Sequence, residues 1–379
     1  MLADCKAKPT VLHLIDTTGP GGAETIFVQL ADKMREKGWN SVVVIRGEGW
    51  VNDELMKRGL TPIILDAKGS FNIRFLWRLI QLVRQHKVAL IHSHLLGSNV
   101  YAALVGLLTF CPVVATYHGM VDISPNERFK VIKHWAMRWG IKRYVSVSKS
   151  LAASIFEKGL LNPKKTSVVY NGIDTAKYGK NDSNTIRQQL DLDDEAILVG
   201  SLGNVRPAKA YDVLIEAVPQ VLATNPNVHF IIAGDPKKSL MQVLDKRMAQ
   251  LGIGENVHFI GFQRDCAAML GQMDLFLLSS SSEGFSISTI EAMATGLPVI
   301  ATKCGGPEEI ITHGQNGWLV ESSKARTISD GLIVVLGDEA LARQLAKEAR
   351  QHVVRVFSSL GMLDNYNGLY KALIGKDSA

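Results

Sequence analysis

Cysteine is scarce in this chain, with four among 379 residues. Cys5, Cys111, Cys266 and Cys304 are scattered and form no Cys-x-x-Cys pair, so neither a disulfide framework nor a cysteine zinc site is indicated. Reduced cytoplasm is the compartment this usage fits. A secretory leader is also missing: the start, MLADCKAKPT, is polar, and the apolar run behind it is only Val11–Ile15. One uncharged stretch, Leu95 to Val121, is long enough to raise the question of a membrane span. Pro112 splits it, so it reads as a buried helix followed by a buried strand over Val113–Thr116. The glycine pattern GxGxxG is absent from the first strand–helix turn, which weighs against a dinucleotide-dependent dehydrogenase.

What remains is an ordinary globular composition, 46% hydrophobic and 21% charged, long enough for two domains that each bury a core. The net charge of +6 fits an acidic ligand or an anionic surface, and nothing in it selects nucleic acid as a partner.

Strand and helix signals alternate along the first half. Val11–Ile15, Ser41–Ile45, Thr61–Leu65, Ala89–His92, Val113–Tyr117 and Tyr144–Val147 read as strands, with helical periodicity such as Ala23, Phe27, Leu30 and Met34 between them. This is the pattern of a doubly wound parallel sheet. Gly21 and Gly22 follow the first strand and open a helix, which suits either an anion or sugar cradle or a plain turn. His92, His94 and His118 fall at strand ends, where such sheets open on a ligand crevice. His92 and His94 share one side of a strand, but no third ligand follows at a metal-site spacing, so no metal is expected. After a strand at Ser167–Tyr170 the composition turns polar from Thr175 to Asn184, as a linker would. A second alternating series then runs through Ile197–Leu202, Val228–Ala233, Val257–Ile260, Asp274–Leu278 and Val299–Thr302.

The densest chemistry lies from Ser279 to Gly306, SSSSEGFSISTIEAMATGLPVIATKCGG. A helix start is expected near Ser286 or Ser288, both good N-cap types. Glu283 precedes it and Glu291 lies about a turn inside. The backbone N–H groups of Phe285, Ser286 and Ile287 lie between the two acids, at the positive end of the helix dipole. A phosphate there, with sugar hydroxyls against the acids, would use all three features. A solvated loop acid and a helix-surface Glu are the plain alternative. Arg206 and Lys209 follow the first strand of this half and could clamp a diphosphate or form a solvated turn.

Glu283-x7-Glu291 within EGF-x5-EAMATGLPVIAT resembles the donor-site signature of retaining glycosyltransferases of family 4, group 1. The resemblance covers nearly the whole chain and is strongest in its second half. It implies a GT-B fold, α/β, with two Rossmann-like doubly wound lobes facing a central cleft. The expected division is residues 1–175 as the acceptor lobe, 176–355 as the nucleotide-sugar lobe, and 356–379 as a helix returning to the first lobe. By the same resemblance, Glu283 contacts the donor sugar and Glu291 the ribose. Arg206 and Lys209 hold the diphosphate, and Gly234, Gly261 and Phe262 line the nucleotide. His118 borders the reaction centre, and Gly21 and Gly22 lie on the acceptor side. Here Asn204 follows Gly203 where relatives have Arg, and Ala210 replaces a Gly. The expected co-substrate is a nucleotide-diphosphate sugar, UDP-linked in the favoured case, with no resident cofactor and no metal. The acceptor is a glycan or lipid-linked, in a cell-surface glycan or lipopolysaccharide-type route. A sugar-nucleotide epimerase of the same fold and a non-catalytic sugar-nucleotide-binding protein are the alternatives.

One stretch is not absorbed by that reading. ERFKVIKHWAMRWGIKRY, residues 127–144, sets six cations beside Phe129, Ile132, Trp135, Ala136 and Trp139. The stripe fits either a core-facing helix or an anionic membrane surface, which would place the enzyme at the inner face of the cytoplasmic membrane.

Overall fold

The computed structural model describes residues 8–66, 71–119, 130–159, 162–181 and 183–375. They form two compact units: one runs to Asn171 and resumes at Leu360, and the other is Gly172–Ser359.

The first unit is wound from β1 (Thr10–Ile15), α1 (Gly22–Lys33), β2 (Asn40–Ile45), α2 (Trp50–Lys57), β3 (Ile63–Ile64), α3 (Ile73–Gln85) and β4 (Val88–His94). It continues through α4 (Leu96–Thr109), β5 (Val113–Tyr117), α5 (Lys130–Gly140), β6 (Arg143–Ser146), α6 (Lys149–Glu157) and β7 (Thr166–Val168). The seven strands lie in the order β3-β2-β1-β4-β5-β6-β7, and the pairs are parallel. Strands buried on both faces need near-continuous apolar runs, which VLHLI and VVATY supply. The strand order reverses between β1 and β4, so right-handed crossovers put α1 and α2 on one face and α3, α4 and α5 on the other. Phe27, Val28 and Ala31 of α1 pack with Val51 and Leu55 of α2 over Val43 and Ile45. On the opposite face α4 lies between α3 and α5. Its approach to α5 is close: a Cβ on Gly140 would lie 2.1 Å from the carbonyl oxygen of Ala103.

The strand expected at 61–65 shortens to Ile63–Ile64, and β4 runs two residues past His92 to His94. The unit is completed by the last helix, residues 359–374, whose Tyr366 and Tyr370 are fully buried. Among the described residues, no helix is long and apolar enough to cross a membrane; Leu95–Val121 contains α4 and β5 instead.

The second unit contains α7 (Thr185–Gln189), β8 (Ile197–Leu202), α8 (Tyr211–Leu222), β9 (Val228–Ala233), α9 (Lys238–Leu251), β10 (Val257–Gly261), α10 (Cys266–Leu270) and β11 (Leu275–Leu278). It ends with α11 (Ile287–Thr295), β12 (Val299–Lys303), α12 (Pro307–Ile310), β13 (Trp318–Glu321), α13 (Ala325–Gly337) and α14 (Glu339–Val356), after which α15 (Ser359–Ile374) follows. Its strand order, β10-β9-β8-β11-β12-β13, reverses between β8 and β11. Residues 175–184, polar enough to read as a linker, are tied into this unit. Asn181 donates its side-chain amide to Ala268 O at 3.1 Å, and Lys180 bonds Met273 O. The chain's two crossings run side by side, with Ile173 N donating to Phe357 O at 3.0 Å and Ser359 N to Ile173 O at 2.7 Å.

Candidate functional site

In a doubly wound sheet the loops flanking the reversal of strand order form a crevice at the strands' carboxyl ends. In the second unit these are residues 203–210 after β8 and 279–286 after β11. They are bonded to each other: Ser281 N donates to Ala208 O at 2.9 Å, and Ser279 Oγ donates to Lys209 O at 2.8 Å. Lys209 Nζ donates to Glu283 Oε1 at 2.8 Å, both side chains nearly buried, and Ser280 Oγ donates to the same oxygen at 2.7 Å. The sequence-identified cation and acid, 74 positions apart, therefore meet in one ion pair. Arg206 is exposed at the start of the same turn.

Ser286 is the N-cap of α11. Its hydroxyl accepts from Thr289 N at 3.3 Å and from Thr289 Oγ1 at 2.8 Å. The amides of Ile287 and Ser288 thus stand at the positive helix end, one turn from Glu283. Phe285 is buried and packs edge-on against Phe357, ring centroids 5.4 Å apart, while Ile287 is half-buried. Behind the loop, Gly306 N donates to Glu283 O at 3.0 Å, and the Glu308 carboxylate accepts from the amides of Cys304 and Gly305.

Glycines end the three neighbouring strands. Gly203, Gly234 and Gly261 follow or close β8, β9 and β10, and Gly234 N donates to Gly261 O at 2.9 Å. Two of them cannot carry a side chain here. A Cβ on Gly234 would lie 2.1 Å from Gly203 O, and one on Gly203 would lie 2.2 Å from Cε of Lys209. The result is a bare backbone ledge beside the ion pair, with Phe262 exposed at its end. Ala210 occupies the left-handed region, φ +48°, so the position that favours glycine keeps its conformation with a methyl group attached.

Glu291 is not a surface residue. It faces inward from α11, and Tyr178 donates its hydroxyl to Oε1 at 2.8 Å. Burial pushes the carboxyl up to about 7, against the opposing effects of the Tyr178 hydrogen bond and the Lys209 charge. Arg350 of α14 holds the pair in register by bonding the carbonyls of Tyr178 and Ala294. Nothing in the sequence pointed to Tyr178, which lies 113 residues from its partner.

His118, Gly21 and Gly22 belong to the first unit. Gly21 is the extended N-cap of α1, and its carbonyl accepts from both Thr25 N and Thr25 Oγ1. His118 follows β5 directly and meets His94, Nε2 to Nδ1, at 2.9 Å. His94 in turn lies 4.2 Å from His92, centroid to centroid, and His92 bonds Tyr370 and Thr116. His13 of β1 adjoins His92 and is fully buried, and both its ring nitrogens lack a partner among the described residues. Burial holds His13 and His118 down to about 3 and keeps His92 and His94 far below 6.5, so the cluster is neutral at pH 7. Asp16, which sequence reasoning passed over, turns its carboxylate against Gly97 at the start of α4. Burial raises its pKa, opposed by amide hydrogen bonds and Arg46. Among the described residues no group of three or more His, Cys, Asp or Glu is placed to hold a metal ion.

Comparison with known proteins gives the family. Residues 182–352 match the family described as Glycosyl transferases group 1, and residues 20–177 match Glycosyltransferase Family 4. The N-acetyl-alpha-D-glucosaminyl L-malate synthase of Bacillus anthracis is 30% identical over 271 residues, 70% of this chain and 69% of that protein. The lipopolysaccharide core biosynthesis glycosyltransferase LpsE of Rhizobium meliloti (strain 1021) is 25% identical, covering 91% of this chain and 94% of its own length. Among solved structures, HepE of Anabaena in complex with UDP-glucose superimposes with a TM-score of 0.85 at 22% identity, over 97% of this chain and 99% of that one. With its two parallel-sheet lobes and its donor-type loop, the chain belongs to the group 1, family 4 glycosyltransferases.

Proposed function

We propose that the protein transfers a sugar, with retention of anomeric configuration, from a nucleoside-diphosphate sugar to a hydroxyl of a glycan or lipid-linked acceptor. The observation that carries this is the buried Lys209–Glu283 pair, set between a glycine ledge and the N-terminus of α11. A diphosphate on that helix end meets amides and two cations, Lys209 and the exposed Arg206, as charge develops on the leaving group. Those cations do the neutralising that a divalent ion would otherwise do, and no Asp-x-Asp stands in the loop, so the transfer is metal-independent in this reading. Glu283 faces the sugar, Glu291 takes the ribose hydroxyls, and the backbone at Gly234, Gly261 and Phe262 receives the base. Bond cleavage leaves the electron pair on the phosphate oxygen. That oxygen accepts the acceptor's proton as the hydroxyl attacks from the same face, so no carboxylate nucleophile is assigned. His118 is neutral and can position a hydroxyl without adding charge; it and Gly21–Gly22 are assigned to the acceptor side. The UDP-glucose complex of the Anabaena protein supports a UDP-sugar donor, and the Rhizobium relative supports a cell-surface glycan or lipopolysaccharide-type route. No resident cofactor is part of the scheme.

The test is a panel of UDP-, GDP- and ADP-sugars offered with lipid-linked and soluble glycan acceptors. UDP release and product configuration would be followed by NMR, with and without EDTA. Axial product from an axial donor, unaffected by EDTA, is expected. Inversion, or activity lost to EDTA and restored by manganese, overturns the corresponding part. An epimerised donor without transfer would assign the protein to the epimerase alternative.

A further inference from the structure

We propose that the outer face of the α3–α4–α5 layer of the first unit is a docking surface for an anionic lipid bilayer. The stretch of sequence that builds this layer is strongly basic. Residues 67–156 hold twelve Lys and Arg and only two acids, Asp122 and Glu127, which lie outside the described residues. The remaining 30 Lys and Arg face 34 acids, so the rest of the molecule is net negative although the whole chain carries +6.

Large apolar side chains stand among these cations and point away from the core. Trp135 and Trp139 are 57% and 60% exposed, while Ala136 and Met137 turn inward. The single stripe read from the sequence is thus divided. The small residues Ala136 and Gly140 allow α5 to close on α4, which leaves the indoles outside. Of that segment, Glu127, Arg128 and Phe129 lie outside the described residues. Helix α3, which local pattern did not single out, repeats the arrangement: Ile73 and Trp77, one turn apart, are 70% and 59% exposed beside Arg74 and Arg78. Phe110, 89% exposed, closes α4 between them. At the end of α5, Lys165 donates to the carbonyls of Arg138 and Ile141 at 3.0 and 3.1 Å. Its pKa is lowered by burial and by the nearby charges of Lys142 and Arg138.

Trp beside Lys and Arg is the mixture that settles at the headgroup boundary, where the indole enters the interface and the cation meets phosphate. A solvated surface has no use for so much exposed apolar area. A second copy of the chain would bring like charges together, and a nucleic acid would use the cations but not Ile73, Val131 or Ile132. The inference rests on the transferase reading only for its purpose, which is to bring the enzyme to a lipid-linked acceptor; the surface stands without it.

Sedimentation of the full chain with sucrose-loaded vesicles tests it, without donor or acceptor. Vesicles of phosphatidylglycerol in phosphatidylcholine should pellet the protein, pure phosphatidylcholine should not, and added salt should release it. Arg74→Glu, Arg78→Glu and Arg138→Glu together should lower partitioning by roughly a hundredfold or more. Trp77→Ser with Trp135→Ser should weaken binding while leaving its salt dependence. Unchanged melting and UDP binding show the variants to be folded, and single Arg78→Glu serves if the triple variant is not. Equal pelleting with neutral vesicles, no pelleting with anionic ones, or binding indifferent to both sets of substitutions overturns the proposal. So does capture by an oligonucleotide through the same residues without vesicle binding. Failure here leaves glycosyl transfer standing, and loss of transfer with intact vesicle binding leaves this surface standing.

Discussion

At the reversal point of the first sheet, β1 and β4 contribute His13, His92 and His94, buried, neutral and roofed by tyrosines of α15. At the corresponding point of the second sheet the flanking loops contribute Lys209 and Glu283, nearly buried and ion-paired, beside bare glycine backbone. The winding is the same and the filling is opposite. A charged pair in low dielectric is costly to assemble and strongly oriented once made, which suits a ligand that brings its own charge. Neutral imidazoles and hydroxyls suit a ligand that brings only hydroxyl groups. The division of labour proposed above follows from the side chains gathered around the same reversal of strand order, in the strands of one unit and in the loops of the other, not from any difference in winding.

The largest expected effect breaks the charged half. Glu283→Gln keeps the volume but leaves Lys209 and Ser280 without their ionised acceptor. Turnover should fall by about 10²–10³ while nucleoside diphosphate affinity stays close to wild type. Steady-state kinetics and calorimetry read the two quantities separately, and normal turnover would return Glu283 to a purely structural role.

An intermediate effect belongs to the neutral half. His13 and His118 keep depressed pKa values in the folded state and regain about 6.5 on unfolding, so below pH 6.5 the unfolded chain binds the extra protons. Stability is intact above pH 6.5 and falls as the pH drops toward 3. These two residues together contribute a loss of about 2 kcal/mol between pH 6.5 and 5.5. Hydrogen exchange should show β4 and β5 losing protection on acidification before β9 and β10 do. Equal loss in both units would erase the contrast.

Much of this was legible because parallel strands announce themselves. Runs such as Val113–Thr116 and Leu275–Leu278 are apolar on both faces, and the long motif around Glu283 fixed the loop between strand and helix. What escaped had physical reasons. β13, WLVE, is four residues long and half-buried, too short and too polar to stand out as a run. Tyr178 and Asp16 owe their positions to packing partners remote in sequence, which no local pattern encodes. The outward turn of Trp135 depends on how closely α4 approaches, a property of Ala103 and Gly140 and not of the stripe itself.

The smallest effect sharpens the nucleotide side. With Glu291 titrating at about 7, its ionised fraction before binding rises from about a tenth to about nine tenths between pH 6 and 8. Uridine affinity should therefore increase by up to about tenfold over that range and be flat in Glu291→Gln. Tyr178→Phe removes a donor to the charged form, so the carboxyl pKa should rise further and the affinity gain should move to higher pH. A pH-independent affinity in the wild type would place the ribose elsewhere.

The helix that roofs the histidines has a consequence for the order in which the molecule is made. Tyr366 and Tyr370 belong to the core of the first unit, yet they emerge from the ribosome 195 and 199 residues after Asn171. At 5–20 residues per second that is a delay of roughly 10–40 s. During this interval, which is the synthesis of Gly172–Ser359 itself, His92 and Thr116 lack their tyrosine partners and the strands around them are uncovered; the second unit has its last residue, Ser359, before Tyr366 and Tyr370 emerge. The part of the protein synthesised first is therefore the part finished last, and it is the part a chaperone would have reason to hold.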